Sequence, residues 1–380
     1  MSMRNEEARD YVKIRAYNKE TDLEKVLDLE RNCEVGSKKR PILVTDCLGD
    51  PLCRVRNSPL YHMLVAESGK DLVGVVCGSI KVATIGSSLE SRAKLGYILG
   101  LRVPTCHRRR GIGRRLVLAM EQWFCYNQVD YAYMATEKSN EASIKLFTYK
   151  LNYTKFRTPR ILVNPVGHKP ERLDPNVAIT RLEIGQAKSL YTRHMSSLEF
   201  FPQDIDQVLS NKLCLGTWVA CRHGESWLNA SNWAMLSVWN CPYRIRVARL
   251  PFVCLFRAKI LRHLERLIPC FKGIGIPNIF SFFRFYIIYG AHMVGPEAAP
   301  LMQALCEHVH NMAVKQKGYR IVLAEVGGDD GIRYFIPHRR DLSFSSDIWC
   351  VKDLRKGERE SFDWNTMPPS TSIFLDPREF

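Results

Sequence analysis

Alternation of apolar and polar positions with period two, in segments rich in β-branched residues, predicts strands over residues 11–15, 61–67, 72–82 and 94–103. Ser68-Gly69-Lys70-Asp71 joins the second and third as a hairpin turn, and 86–92 reads as another hairpin loop. Between the first two strands, Thr21-Asp22 can cap a helix over 23–32 whose apolar face holds Leu23, Val26, Leu27 and Leu29. Residues 38–57 are polar and broken by glycine and proline, and read as loop with a short helix. After residue 103 the period becomes helical: Ile112, Leu116, Ala119, Met120, Trp123 and Phe124 fall on one face of 111–126. A strand over 131–136, an Asn-led helix over 140–151 and strands over 153–156 and 161–164 complete the N-terminal unit.

The polar, proline-spaced stretch 165–176 reads as a boundary. Beyond it the same order of elements returns: a strand at 177–184, helices at 186–195 and 202–211, strands at 215–221, 233–239 and 285–292, a helix at 297–317, and strands at 320–325 and 347–352. The expected architecture is α/β, with two tandem mixed-sheet units over 1–168 and 177–380 and a basic insert at 244–272.

At 380 residues, two domains of roughly 150 residues each are expected. With 46% apolar and 25% charged residues the chain has ordinary globular usage, which excludes a disordered one. The net charge of +16 favours acidic partners such as phosphates, nucleic acid or an anionic surface. The excess lies in the N-terminal unit and in the insert. Within the insert, 252–268 is amphipathic, with Leu255, Phe256, Ile260, Leu264 and Leu267 clustered apart from Arg257, Arg262 and Arg266. Such a helix can lie on a membrane, bind calmodulin, track nucleic acid or pack on its own sheet, and these alternatives stay open. Thirteen cysteines form no CxxC pair, so reduced, buried thiols in an intracellular protein are expected, with no metal site. Residues 1–10 are polar and acidic, unlike a secretory leader. The apolar run 276–294 is interrupted by Pro277, Arg284, Gly290 and His292, so no transmembrane segment is expected.

The chemistry concentrates at Arg108-Arg109-Arg110-Gly111-Ile112-Gly113-Arg114-Arg115, where a strand runs through a basic turn into a helix. Gly111 and Gly113 allow close backbone approach, and the free amides and dipole of a helix start attract an anion. The site suits a pyrophosphate, with the arginines adding charge-assisted contacts. No Gly-Lys-Ser/Thr ending makes this a Walker loop, and the third glycine of a dinucleotide fingerprint is missing.

The pattern Arg108-x-x-Gly111-x-Gly113, followed by Asn140-Glu-Ala-Ser-Ile-Lys-Leu-Phe147, resembles the acetyl-CoA loop and Asn-led helix of the GNAT acyltransferases. Longer phrases, among them Leu48-Gly-Asp-Pro-Leu-Cys-Arg-Val-Arg, Glu199-Phe-Phe-Pro-Gln-Asp-Ile-Asp and Phe374-Leu-Asp-Pro-Arg-Glu-Phe, resemble the plant HOOKLESS-type N-acetyltransferases over essentially the whole chain. The resemblance implies tandem GNAT-like units and acetyl-CoA-dependent transfer to a protein amine, histone lysine included. It also implies a part in hormone-regulated plant growth and a nuclear location, with the cytoplasm as alternative. It implies pantetheine pairing with the backbone of Leu101, Arg102 and Val103. The pyrophosphate would rest on Arg108, Arg109, Arg110, Gly111, Ile112, Gly113 and Arg114, and Asn140 would stand near the thioester. Direct nucleic-acid binding rests on charge alone.

Acetyl transfer to an amine needs a proton acceptor. The strand Glu common in the family is missing, since 94–106 contains no acid, and Phe147 stands where a helix Tyr usually protonates the leaving thiolate. Tyr149 points about 200° away around a helix. Glu137, just past a strand end, is the candidate base, followed by Tyr97. A catalytically weak or inactive regulator that keeps the fold is the alternative reading. The second unit has Val294-Gly-Pro-Glu-Ala-Ala-Pro300 at the place of the phosphate loop; its two prolines and Glu297 exclude a second CoA site, so this unit is expected to be degenerate.

Overall fold

The helix read at 111–126 runs over Ile112–Tyr126 (α2) and buries Ile112, Leu116, Val117, Met120 and Phe124. The face it covers belongs to the first of the two large sheets in the computed structural model, which describes residues 12–33, 42–86, 91–249, 280–340, 342–343, 347–355, 364, 367–368, 370 and 372–380. Gly74, Gly78 and Gly96 let α2 sit close, because a Cβ at Gly78 would lie 2.4 Å from Met120 Sδ and one at Gly96 2.8 Å from the Phe124 ring.

The N-terminal elements follow the expected order with one strand, β2, added. They are β1 (Val12–Ala16), α1 (Lys19–Asn32), β2 (Ile42–Asp46), β3 (Leu60–Ser68), β4 (Asp71–Thr84), β5 (Arg92–Arg102), α2, β6 (Tyr131–Glu137), α3 (Glu141–Lys145) and β7 (Thr154–Arg157). After them come β8 (Arg160–Pro165), β9 (Val177–Arg181), α4 (Ile184–Met195), α5 (Ile205–Ser210), β10 (Cys214–Arg222), β11 (Trp233–Asn240), β12 (Arg244–Arg249), β13 (Arg284–Val294), α6 (Ala299–Val314), β14 (Tyr319–Val326) and β15 (Asp347–Asp353).

Two local readings are corrected, and a third falls on residues that are not described. Asn18, not Thr21-Asp22, caps α1 and accepts from the Glu20 amide at 2.9 Å; Asp22 is instead buried against Arg15 at 2.6 Å. The stretch read as loop at 38–57 holds β2, which pairs with β12 and so takes up the start of the basic insert. The amphipathic segment 252–268 lies outside the described residues.

The sheets are ordered β1-β3-β4-β5-β6-β15-β7 and β8-β14-β13-β11-β10-β9. Each has antiparallel strands with one parallel step, β5–β6 in the first and β13–β14 in the second, and each parallel step is spanned by a helix, α2 or α6. The repeat of order is thus a repeat of structure: a mixed α/β fold in tandem. The two units exchange strands. β8, read as finishing the first unit, pairs with β14 in the second sheet. β15, read with the second unit, enters the first sheet between β6 and β7. Alternation reveals that a segment is a strand but not which sheet receives it, and that is why both were misassigned.

Further links join the units. The Phe200 amide donates to the Thr84 carbonyl at 2.8 Å, and the Thr84 amide returns the bond to Phe201 at 3.0 Å. Arg157 grips Glu199 through Nε and Nη2 at 2.7 and 2.8 Å, both side chains being almost fully buried. The final segment, 372–380, lies between the units: Phe374 joins the core of the second, while Ile373 and Leu375 pack on that of the first.

The exchange generates a prediction. A fragment of residues 1–168 keeps β6 and β7 but loses β15 from between them, leaving two unpaired edges. It should lack the cooperative thermal transition of the full chain. A fragment that melts cooperatively in calorimetry and is monomeric by light scattering would show that the first sheet closes without β15.

Candidate functional site

The parallel register of β5 with β6 ends at Ile98 opposite Met134. On its other side β5 slips against β4, with Leu99 opposite Cys77 and then Arg102 opposite Val75. This is a bulge, and Gly100 within it takes a φ of +63°, a conformation that favours glycine. Bulge and register end together bend β5 away from β6. A wedge opens there, with the backbone of Leu101, Arg102 and Val103 along one side.

The wedge leads to the basic turn. Pro104 and a 3-10 turn over Thr105–His107 lead into Arg109 and Gly111, with φ of +64° and +80°. Gly111 caps α2, and Arg115 is the first amide to reach an intrahelical acceptor, the Gly111 carbonyl at 3.0 Å. The Ile112, Gly113 and Arg114 amides precede it and have no helical partner. A Cβ at Gly111 would meet nothing within 4 Å, and one at Gly113 would only touch Leu146, Leu101 and Val103 at 3.5–3.9 Å. The cradle is therefore open, with apolar walls toward the wedge and exposed Arg109, Arg110 and Arg114 side chains at its mouth. Arg108 donates from Nε to the Val103 carbonyl at 3.0 Å, holding the turn against β5. Two arginines are engaged elsewhere: Arg115, read as a phosphate contact, reaches the Val12 carbonyl, and Arg102 pairs with Glu30 at 3.2 Å.

Asn140 caps α3, its Oδ1 accepting from Ser143 at 3.3 Å, which leaves the amide nitrogen for another partner. Phe147 is buried edge-on against Tyr153, and Tyr149 is exposed at 77%. No phenol of α3 or the turn after it thus replaces the missing proton donor. Tyr97 stacks on Tyr133 at 4.9 Å, and burial pushes its hydroxyl well above the usual range, so it is a poor base at neutral pH. Glu137 ends β6 opposite Asp347 and accepts from the Ser139 hydroxyl.

The strand exchange brings further groups to this region that the linear sequence did not connect. Glu30 from α1 stands over the bulge, its Oε1 3.9 Å from where a Gly100 Cβ would be. Glu379, next to Arg378 of the buried Asp376–Arg378 pair, bonds Tyr133 and Lys81, the latter at 2.7 Å. Glu325 on β14 lies within electrostatic reach of Tyr97. Its carboxyl is pushed far above the ordinary range, first by burial and then by Asp347 and Glu379. The conspicuous ending Phe-Leu-Asp-Pro-Arg-Glu-Phe was the one available signal for Glu379; nothing in the sequence signalled Glu325.

The second unit has a comparable bulge in β13 at Gly290, with φ of +59°, but Tyr191 fills it; a Cβ there would lie 2.0 Å from the Tyr191 hydroxyl, which bonds Ser237 at 2.7 Å. Glu297 occupies the position of the phosphate turn and is paired with Arg222 at 2.6 Å. This wedge is closed, as the degenerate loop predicts.

The acetyltransferase (GNAT) family model matches residues 23–153, from α1 through the wedge to the end of the α3 region. A probable N-acetyltransferase HLS1-like from Arabidopsis thaliana is 43% identical over 97% of this chain and 99% of its own length, and the probable N-acetyltransferase HLS1 of the same plant matches at the same identity and coverage. The chain belongs to the HOOKLESS-type GNAT family. It is therefore an acetyltransferase of the GNAT type. The fold likeness extends to Saccharomyces cerevisiae N-myristoyltransferase with bound myristoyl-CoA, at a TM-score of 0.55 and 9% identity, covering 90% of this chain and 79% of that one. Among the described residues no group of side chains is arranged to hold a metal, and no helix is long and apolar enough to cross a membrane.

The cap assigned to Asn140 is testable. Asn140→Ala should lower stability by about 1 kcal/mol, the usual cost of losing a side-chain cap, whereas Asn140→Asp should recover most of it. Urea unfolding followed by tryptophan fluorescence reads both. Equal stability of the Ala variant and the parent would remove the capping role.

Proposed function

We propose that the chain transfers the acetyl group of acetyl-CoA to an amine on a protein, histone lysine foremost, and that it does so in the nucleus as part of hormone-regulated growth. The observation that carries the reading is the continuity of the open wedge at Gly100 with the free amides of Ile112, Gly113 and Arg114. An extended thiol arm along the Leu101–Val103 backbone and a pyrophosphate on the α2 N-terminus need that arrangement. Acetyl-CoA supplies an activated carbonyl; the protein's task is to hold it, shield it and take up the amine's proton.

In this reading the backbone at Leu101, Arg102 and Val103 pairs with the pantetheine amides, and Leu101, Val103 and Leu146 cover its methylenes. Arg109, Arg110 and Arg114 meet the outer phosphates, and Asn140 offers its amide nitrogen near the thioester. The acceptor then approaches from the opposite face, between the units, where Tyr97, Tyr133 and Glu30 stand.

The absence of an acid on β5 and the buried Phe147 favour a second reading, a regulator that binds acetyl-CoA without efficient transfer. One variant and one assay separate the cases. Gly113→Glu places a carboxylate beside the pyrophosphate site while making only ordinary contacts with the surrounding side chains. It should abolish acetyl-CoA binding in calorimetry and leave the circular dichroism spectrum and melting temperature unchanged. Normal affinity in this variant would displace the site from the α2 turn. Binding by the parent chain with no acetylation of histone-tail peptides would favour the regulator.

A further inference from the structure

Of the carboxylates gathered behind the wedge, most are already held. Glu30 is paired with Arg102, Glu379 with Lys81 and Tyr133, and Asp376 with Arg378. Glu137 takes the Ser139 hydroxyl. Glu325 differs, having no hydrogen bond or ion pair with any described residue.

Its direction follows from strand alternation. On β14, Val322, Ala324 and Val326 pack under α6, whereas Ile321 and Leu323 face the core shared between the units. Glu325 therefore faces the units' common interior. It is placed one residue past Ala324, where the parallel pairing of β13 with β14 ends. β8 crosses from the first unit beside it, with Ile161 as its direct partner. The Asp347 amide donates to the Pro159 carbonyl at 3.1 Å in the same crossing, which brings the start of β15 and the end of β6 to the end of β14. Another unsatisfied group stands on this wall: the Trp349 indole nitrogen is buried with no partner, and its ring lies 5.6 Å from Tyr133.

We propose that Glu325, contributed by the second unit, is the proton acceptor for the amine acetylated at the wedge of the first. This rests on the acetyl-transfer reading above. The acceptor ammonium gives one proton to the Glu325 carboxylate. The freed lone pair forms the C–N bond to the acetyl carbon, and the C–S bond breaks with its electron pair on sulfur. The second proton lost from nitrogen ends on that thiolate, and the proton on Glu325 returns to solvent. Burial, Asp347 and Glu379 make this carboxyl hold a proton more firmly than an ordinary Glu, so its ionised form is the stronger base.

The test compares the parent chain and Glu325→Gln with acetyl-CoA and histone-tail peptides. Glu325→Gln should lower kcat by about 10²-fold or more with acetyl-CoA affinity unchanged. Among the described residues, the groups that bear on Glu325 are Asp347 from β15, Glu379 from the C-terminal segment and Tyr97 from β5, none of them a cation, so ionising Glu325 opposes folding. The Gln variant should accordingly melt no lower than the parent at pH 8, where that ionisation is most complete, and lost turnover then cannot be misfolding. A Glu325→Gln variant within about threefold of the parent kcat overturns the assignment. A parent chain that binds no acetyl-CoA, or acetylates none of the peptides, refutes the functional reading, and the assignment falls with it.

Discussion

The exchange of β8 and β15 between the sheets is the constraint on which the rest depends. Once β15 sits between β6 and β7, the first sheet cannot close until the chain has traversed the whole second unit. The two cores are then tied by backbone hydrogen bonds as well as by side chains. That requirement fixes the relative placement of the sheets, so residues far apart in sequence can be held near the wedge. The buried Arg157–Glu199 pair, with the Trp364 indole donating to the same carboxylate, marks the seam. Its charges are compensated by bidentate geometry, without which burying them would oppose folding.

The two wedges are built alike but are not equivalent. Both units retain a parallel step, a glycine bulge and a helix behind it. In the first the bulge opens onto Cys77 and Glu30 at ordinary contact distance. In the second, Tyr191 occupies the same kind of space and bonds Ser237, which itself contacts Thr217 at 2.6 Å. A filled wedge adds packing to the second core and removes a competing donor site. The unit that lost its own cavity supplies a wall for the other.

Much of this was legible along the chain. Period-two and helical patterns located nearly every element, because each buries one face and its apolar spacing reports that face. The phosphate cradle was legible because it is local: Gly111, Gly113 and the arginines act within a single turn. Strand exchange was not legible, since Ile161 and Trp349 alternate equally well in either sheet. Glu325 was hidden for the same reason. It is the lone acid on a strand that is otherwise apolar apart from Arg320, and only the tertiary arrangement brings it within electrostatic reach of Tyr97. β2 was missed because its five residues follow a polar, glycine- and proline-broken stretch, and its partner β12 lies about two hundred positions away.

The arrangement also bears on how a positive chain would take the cationic acceptor proposed for it. Arginines crowd the α2 turn, where a donor carries its phosphates, and a charge of that sign there would repel a lysine amine. Behind the wedge the balance reverses, because Glu137, Asp347, Glu325 and Glu379 meet on faces that point between the units. Lys81 and Arg378 offset only part of that charge, being committed to Glu379, Asp376 and Asp204. Acidic side chains thus gather on one side of β5, and exposed arginines lie at the turn that follows it. In the proposed reaction an anionic donor and a cationic acceptor would approach different faces of one strand, and the bulge at Gly100 is the place where those faces meet.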